Sequence, residues 1–348
     1  MKRKAAIVIA LCLLLSMPFA ITQIASRFSR SPAAPPTAAN ENVKPPTPAQ
    51  PATAATPATG PAQLASWSSK EIYYQNKVVV LIYHHIDVQE APGLIISPER
   101  FASELDMLLA RGYHVISLDQ LRDFLNGGTV PDNAVLITFD DGYESVHQYA
   151  LPELQKRQMP AVAFAIVKYV GQKMGNLQHY SWEGAREMTA AGITTQSHTY
   201  DLHNFGPLAS GKNGPLLDGP LKGQSASDYR NMVYQDLKRS RDEIESQLQQ
   251  PVYALCLPFG AGGHIAIQAA ADAGFRLIFT THYGVVTRRS NPLALPRVNA
   301  GGPNMTPAKL DALIKAAAGV NPIPQEQPAK PAAPHGGVVV SGKKAKRI

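Results

Sequence analysis

The sequence predicts an α/β fold, a distorted (β/α) barrel of about seven strands, and three observations predict it. Apolar runs and amphipathic segments alternate from residue 78 to residue 317. Their order is repeatedly strand and then helix, as in sheets built from crossover units. The apolar runs are continuous rather than interrupted by polar residues, the pattern of parallel strands covered on both faces.

In chain order, strands are expected at Val78–Tyr83, His114–Ser117, Ala134–Phe139, Ala161–Val167, Ile193–Ser197, Val252–Leu257, Leu277–Thr280 and Ala294–Val298. The first helix is capped by Ser97, takes Pro98 into its first turn and ends at Gly112. Phe101, Leu105, Leu108 and Leu109 form its apolar face. Later helices are expected over Glu144–Arg157, Ser181–Ala191, Ser227–Gln249, Ile265–Ala273 and Thr306–Ala317. In such a fold, chemistry gathers at the C-terminal ends of the strands.

The two ends of the 348-residue chain differ in composition from its middle, so one domain of ordinary size, residues 64–320, is expected. Of the net charge of +7, +5 lies in residues 1–63 and +4 in residues 320–348, which leaves −2 between them. A basic face for nucleic acid is therefore not expected. Residues 1–30 begin Met1-Lys2-Arg3-Lys4 and continue into an apolar run, which reads as a signal peptide or an uncleaved membrane anchor. Either implies an extracytoplasmic protein, secreted or held at the cell surface. Residues 31–63 hold nine prolines and almost no large apolar side chains, and are expected to form a disordered spacer. In the extended polyproline form such a spacer reaches on the order of 100 Å. Residues 321–348 read as a second, basic tail. Cys12 lies in the leader and Cys256 in the core, so the domain has no disulfide to lean on.

The third strand ends Thr138-Phe139-Asp140-Asp141-Gly142-Tyr143. Two adjacent carboxylates closing an apolar strand are costly to desolvate unless they are paired or metal-bound. Helix capping is the plainer use of such acids. The fifth strand ends Ser197-His198-Thr199-Tyr200-Asp201-Leu202-His203. A carboxylate with two imidazoles is a common open metal site. At the end of the first strand, Tyr83-His84-His85-Ile86, alternation lets only one of the two histidines face the barrel mouth.

These segments resemble carbohydrate esterase family 4, the polysaccharide deacetylases with a NodB homology domain, over roughly residues 77–317. Thr138 to Gly142 carries the first family motif unaltered. The resemblance implies Asp140 as catalytic base and Asp141, His198 and His203 as metal ligands. The two histidines stand five apart instead of the usual four. That spacing is similar to the branch acting on β-1,6-linked poly-N-acetylglucosamine. The third motif resembles Leu257-Pro258-Phe259-Gly260, but Cys256 stands where the family often has an arginine that orients the catalytic aspartate. Arg297, in Leu295-Pro296-Arg297, is the candidate substitute. The final family motif, a leucine and a histidine that supplies the general acid, has no clear match near Val298-Asn299-Ala300. His84 is the candidate acid instead, because several branches resemble Tyr-His-x-Ile there. Tyr143, Trp182, Pro258 and Phe259 are the implied substrate contacts.

The chemistry that these residue types allow is hydrolysis of an amide by metal-activated water. The expected partner is an N-acetylated polysaccharide: poly-N-acetylglucosamine, peptidoglycan or a chitin-like polymer. The expected cofactor is a divalent metal ion, zinc by default, with nickel, cobalt and iron fitting the same donors. Two other readings accommodate the same residues. One is a non-catalytic carbohydrate-binding domain of this fold; the other is a metal-dependent hydrolase of another bond.

Overall fold

The computed structural model describes residues 71–320, apart from 90–93 and 303. The expected leader (1–30), spacer (31–63), tail (321–348) and residues 64–70 of the expected domain lie outside the described residues.

Nine strands form the main sheet: β1 (Lys77–Tyr83), β2 (His114–Val115), β3 (Ala134–Phe139), β4 (Ala161–Ala165), β5 (Ile193–Ser197), β6 (Ala254–Cys256), β7 (Leu277–Phe279), β8 (Val286–Thr287) and β9 (Val298–Asn299). Seven of them follow one hydrogen-bonded path, β7-β6-β5-β4-β3-β1-β8, while β2 joins β3 and β9 joins β1. Every pairing is parallel except that of β8 with β1. The sheet curls into a half-barrel, and the chain from Leu295 to Asn299 runs from its β7 end to β1, the strand next to its other end. Leu295 bridges Phe279 on β7, and Val298 and Asn299 pair with Leu81 and Ile82 on β1. The expected strand Ala294–Val298 is thus only partly a strand. Pro296 has no N–H to give a ladder, which confines the regular pairing to residues beyond it.

Alternation along the strands divides the core into two layers. Val78 and Val80 of β1, Ala134 and Leu136 of β3, Phe164 of β4, and Ala254 and Cys256 of β6 share one apolar cluster inside the curl. Their neighbours Val79, Leu81, Val135 and Ile137 pack in a second cluster with helix α1 (Pro98–Ala110). Helix α2 (Leu118–Leu125), which the sequence reading passed over, contributes Leu118, Leu121 and Phe124 to the inner cluster. Its start is a capping box between Ser117 and Gln120.

The expected helix Glu144–Arg157 is broken into a π-helical turn, Val146–Ala150, and helix α3 (Leu151–Lys156). Pro152 cannot donate to the carbonyl one turn earlier, and its ring needs room there, so the helix widens. Four further helices cover the sheet: α4 (Trp182–Ala190), α5 (Ala226–Leu248), α6 (His264–Asp272) and α7 (Pro307–Ala317). Each of these four stays within two residues of the expected span.

Asn133 ties the start of the described chain to the sheet. Buried, with left-handed φ of 55°, its Oδ1 accepts from the backbone N–H groups of Tyr73 and Tyr74. Its Nδ2 donates to the carbonyls of Glu71 and Gly112. Replacing it with leucine strands these backbone groups without a partner. We expect Asn133→Leu to lower unfolding stability by about 2 kcal/mol or more, read from urea denaturation of the full chain. An unchanged midpoint would show that residues 71–74 are not part of the cooperative unit.

Candidate metal and catalytic site

The period-two alternation that fills the barrel interior also delivers the functional side chains to its mouth. Continuing the inward series of β3, Leu136 is followed by Thr138 and then Asp140. On β6 the series ends at Cys256, and His198 follows β5. Asp141 breaks the rule through a left-handed φ of 73°. That conformation is costly for a residue with a Cβ, and it lets two consecutive carboxylates serve one cavity. Thr199, at φ 75°, does the same after His198, turning the chain so that His203 comes back.

A cavity of about 350 Å³ opens at this end, lined by His84, Asp140, Asp141, His198, His203, Phe259, Ile82, Leu94, Leu257, Thr281 and Asn299. Asp141 Oδ1 lies 3.4 Å from His198 Nε2 and 3.3 Å from His203 Nε2. Ligand atoms of the three residues all lie within 4.8 Å of one another. The Nδ1 of His198 is 2.8 Å from the carbonyl oxygen of Cys256, which can only accept. Nδ1 therefore carries a proton, and Nε2, facing Asp141, is the nitrogen left to ligate a metal. Burial pushes the Asp141 carboxyl up, but the two imidazoles override it and hold it well below the usual carboxylate range. The donor set and its geometry fit a divalent ion.

Arg297 is fully buried, and each of its donor groups is used. Nε donates to the Thr280 carbonyl at 2.9 Å. Nη1 donates to Thr138 Oγ1 at 3.0 Å and Asp140 Oδ1 at 2.9 Å. Nη2 donates to Asp140 Oδ2 at 2.7 Å and lies 2.9 Å from Cys256 Sγ. This is the planar fork-to-carboxylate match for which arginine is suited. Burial pushes Asp140 up, yet the guanidinium brings it down to about 2. A second group of possible ligands, Asp140, His198 and Cys256, lies beside it. There the guanidinium already occupies the carboxylate and faces the thiol, which leaves no place for another cation. Burial pushes the Cys256 thiol up, so it stays protonated.

His84 lines the cavity with Nε2 3.9 Å from Asp140 Oδ2, and its Nδ1 is buried without a hydrogen-bond partner among the described residues. His85 turns the other way. Its Nδ1 is 2.8 Å from Ser145 Oγ, and its ring lies 5.0 Å from that of Tyr143. Tyr143 is half-buried between His85 and His179, and the neighbouring Asp141 adds to burial in raising its hydroxyl pKa. Phe259 is 44% exposed at the cavity edge on left-handed backbone, φ 59°. Pro258 is buried in the turn that presents it. Trp182 is not among the lining residues. It opens α4 and packs half-buried against both helix-covered clusters.

One contributor was missed in the sequence. Asp236, on α5, accepts from the backbone N–H of Tyr200 at 2.9 Å and of Asp201 at 2.8 Å. Arg239, one turn on, stacks over the Tyr200 ring at 3.6 Å. Together they hold the loop between His198 and His203. A lone aspartate on a long amphipathic helix carries no sequence signal for this.

Residues 127–278 match the polysaccharide deacetylase family model. The chain is 24% identical over 262 residues to the poly-beta-1,6-N-acetyl-D-glucosamine N-deacetylase of Escherichia coli K12, covering 68% of this chain and 38% of that protein. The chain thus spans well under half the length of that relative. The enzyme of the same name from Staphylococcus aureus MSSA476 is 24% identical over 242 residues, covering 65% of this chain and 79% of that protein. Among solved structures, IcaB from Ammonifex degensii superposes with a TM-score of 0.59 at 28% identity, covering 69% of this chain and 97% of that one.

Two substitutions test this arrangement. Arg297→Met leaves Asp140 buried without its partner, and we expect a loss of about 3–5 kcal/mol in unfolding stability. A stability within 1 kcal/mol of the parent, by denaturant titration, would contradict the pairing. Asp236→Ala frees the histidine loop while its site stays on a packed helix. We expect the affinity for zinc to fall about tenfold or more, measured by competition with a chromophoric chelator, and an unaltered affinity would count against the loop's dependence on α5.

Proposed function

We propose that this chain hydrolyses N-acetyl groups on an extracytoplasmic polysaccharide of the poly-N-acetylglucosamine type, using a divalent metal ion held by Asp141, His198 and His203. The observation that carries the reading is the convergence of that donor set with an ionised, arginine-clamped Asp140 in one cavity. The substrate class rests on the names of the relatives from Escherichia coli and Staphylococcus aureus. Zinc is the default metal, and nickel, cobalt or iron suit the same donors. Placement outside the cytoplasm rests on the charged and apolar leader. Among the described residues no helix is long and apolar enough to cross a membrane.

A metal ion bound there would supply Lewis acidity, activating water and polarising the acetyl carbonyl. The protein's own groups supply the rest. Asp140 accepts the proton of the attacking water, and Arg297 holds the carboxylate in one orientation while keeping it ionised at any working pH. Its low basicity means that its contribution comes from position rather than from proton affinity. A backbone N–H at the Phe259 turn would be the protein's donor to the developing oxyanion. His84 delivers a proton to the departing sugar amine, which leaves poorly without one. Phe259, at the cavity edge, flanks the sugar that bears the acetyl group.

Asp141→Ala, His198→Ala and His203→Ala should each lower bound metal and abolish acetate release, since each removes one ligand of an open site. Asp140→Asn should keep the metal and lose turnover by about 10²-fold or more. Metal analysis and acetate assays on one preparation, with poly-N-acetylglucosamine, peptidoglycan and chitin oligomers side by side, check both statements. Stoichiometric metal in the His203 variant would remove that residue from the ligand set.

His84→Ala should keep metal and fold while losing most of its turnover on an N-acetyl sugar. On an aryl acetate the loss should be much smaller, because a phenolate departs without a proton. Equal losses on the two substrates would assign the proton to another group.

A further inference from the structure

Helix α1 buries one residue that its apolar face does not call for. Glu104 is fully buried, and it stands among Phe101, Leu105 and Leu108 on the side of the helix that packs against the sheet. Both carboxylate oxygens accept hydrogen bonds. Oε2 accepts from the hydroxyl of Tyr83 at 2.8 Å, and Oε1 accepts from Nε of Arg100, one turn earlier, at 2.9 Å. Nη2 of Arg100 reaches on to the carbonyl of Ala300 at 2.6 Å. Burial and the carboxylate together push the Tyr83 hydroxyl well above its usual range, so it remains the donor.

Replacing a buried ion pair with well-packed apolar side chains is often neutral or stabilising, and a leucine at 104 would continue the face of α1. Stability is therefore a weak reason for this network, and its place in the fold is a stronger one. Tyr83 is the last residue of β1, and its ring turns outward against Phe101 and Phe139, with centroids 5.2 and 5.7 Å away. Alternation then turns His84 inward, to the cavity. The carbonyl of Tyr83 accepts the backbone N–H of Asp140 at 2.9 Å. One residue thus adjoins His84 along the chain and Asp140 across the sheet. The Arg100 arm holds the other flank of β1. Ala300 and Gly301 donate their N–H groups to the Ile82 carbonyl at 3.1 and 3.3 Å, and Asn299 before them lines the cavity.

We propose that Glu104 is a positioning residue for proton delivery: through Tyr83 it fixes the end of β1, and with it the place of His84 relative to Asp140, whose Oδ2 lies 3.9 Å from His84 Nε2. The inference rests on the reading of His84 as the group that protonates the departing amine. Glu104 lies outside the cavity and acts only through what it holds.

The test uses the full-length, metal-loaded protein with two substrates, an N-acetylglucosamine oligomer and an aryl acetate. Tyr83→Phe removes one hydroxyl, and Glu104→Gln keeps the shape and an acceptor, so both variants should fold and keep metal. Each should lower kcat on the oligomer about tenfold, with KM and aryl acetate turnover within about twofold of the parent. In a His84→Ala background, Tyr83→Phe should cost less than about twofold more, because the group it places is gone. A purely structural role gives equal losses on the two substrates and a loss that persists without His84. Either result would overturn the proposal, as would unchanged oligomer turnover in both variants. Failure of the underlying reading looks different: His84→Ala by itself loses no more on the oligomer than on the aryl acetate, or the parent releases no acetate. The imidazole signals of His84 in a proton–nitrogen correlation spectrum of the metal-free protein, identified by their loss in His84→Ala, then decide the network. Signals shifted in both variants keep Glu104 as the residue that places His84, and unmoved signals sink it.

Discussion

The buried pairing of Arg297 with Asp140 is the interaction on which the rest of the site depends. Two charges removed from water are tolerated only when each polar atom has a partner, and here the guanidinium meets five acceptors or near neighbours while the carboxylate accepts at both oxygens. The carboxylate thereby stays ionised inside a wall of valine, leucine and phenylalanine. It also marks the border between dry core and open cavity. Below it lie Val80, Leu136 and Phe164, and above it lie the histidines.

Cys256 shows why an arginine arriving from residues 295–299 can do this. In the resembling family the arginine that holds the aspartate stands where Cys256 stands here. A small side chain at that place on β6 leaves the volume free for a guanidinium reaching in from the other end of the sheet. The thiol adds a soft contact at 2.9 Å. The two positions are complementary in size, small at 256 and long at 297. Neither residue is interpretable without the other.

Much of the fold was readable because it follows from periodicity. Strands β3 and β5 fall on the expected residues, and α1 starts at the expected cap. Helix α2 escaped because its eight residues offer barely two turns of pattern, although the Ser117 and Gln120 pairing was present to be read. The convergence of Asp140, Asp141, His198 and His203 was legible because strand ends announce it. Arg297 was legible as the basic residue near such an end that could replace the arginine missing at position 256. Trp182 packs against helix-covered clusters rather than lining the cavity, and in sequence an aromatic opening a helix looks the same in either place. Asp236 could not be found at all. Its meaning lies in a contact across tens of residues, with Tyr200, that no local pattern encodes.

The route of the chain from Leu295 to Asn299 also orders events in time. Asp140 and Arg297 are 157 residues apart, and the segment bearing the arginine touches β7 at one end of the sheet and β1 next to the other. Until the curl is made, no guanidinium can reach the carboxylate, and an unpaired Asp140 resists burial. Closure and ion pairing must therefore come together, late, after the local strand-helix units have formed. A chain stalled before that step has its sheet but not Asp140 in place. Incomplete molecules of this protein should accordingly lack a formed cavity rather than offer a loose one, a safeguard that comes from topology alone.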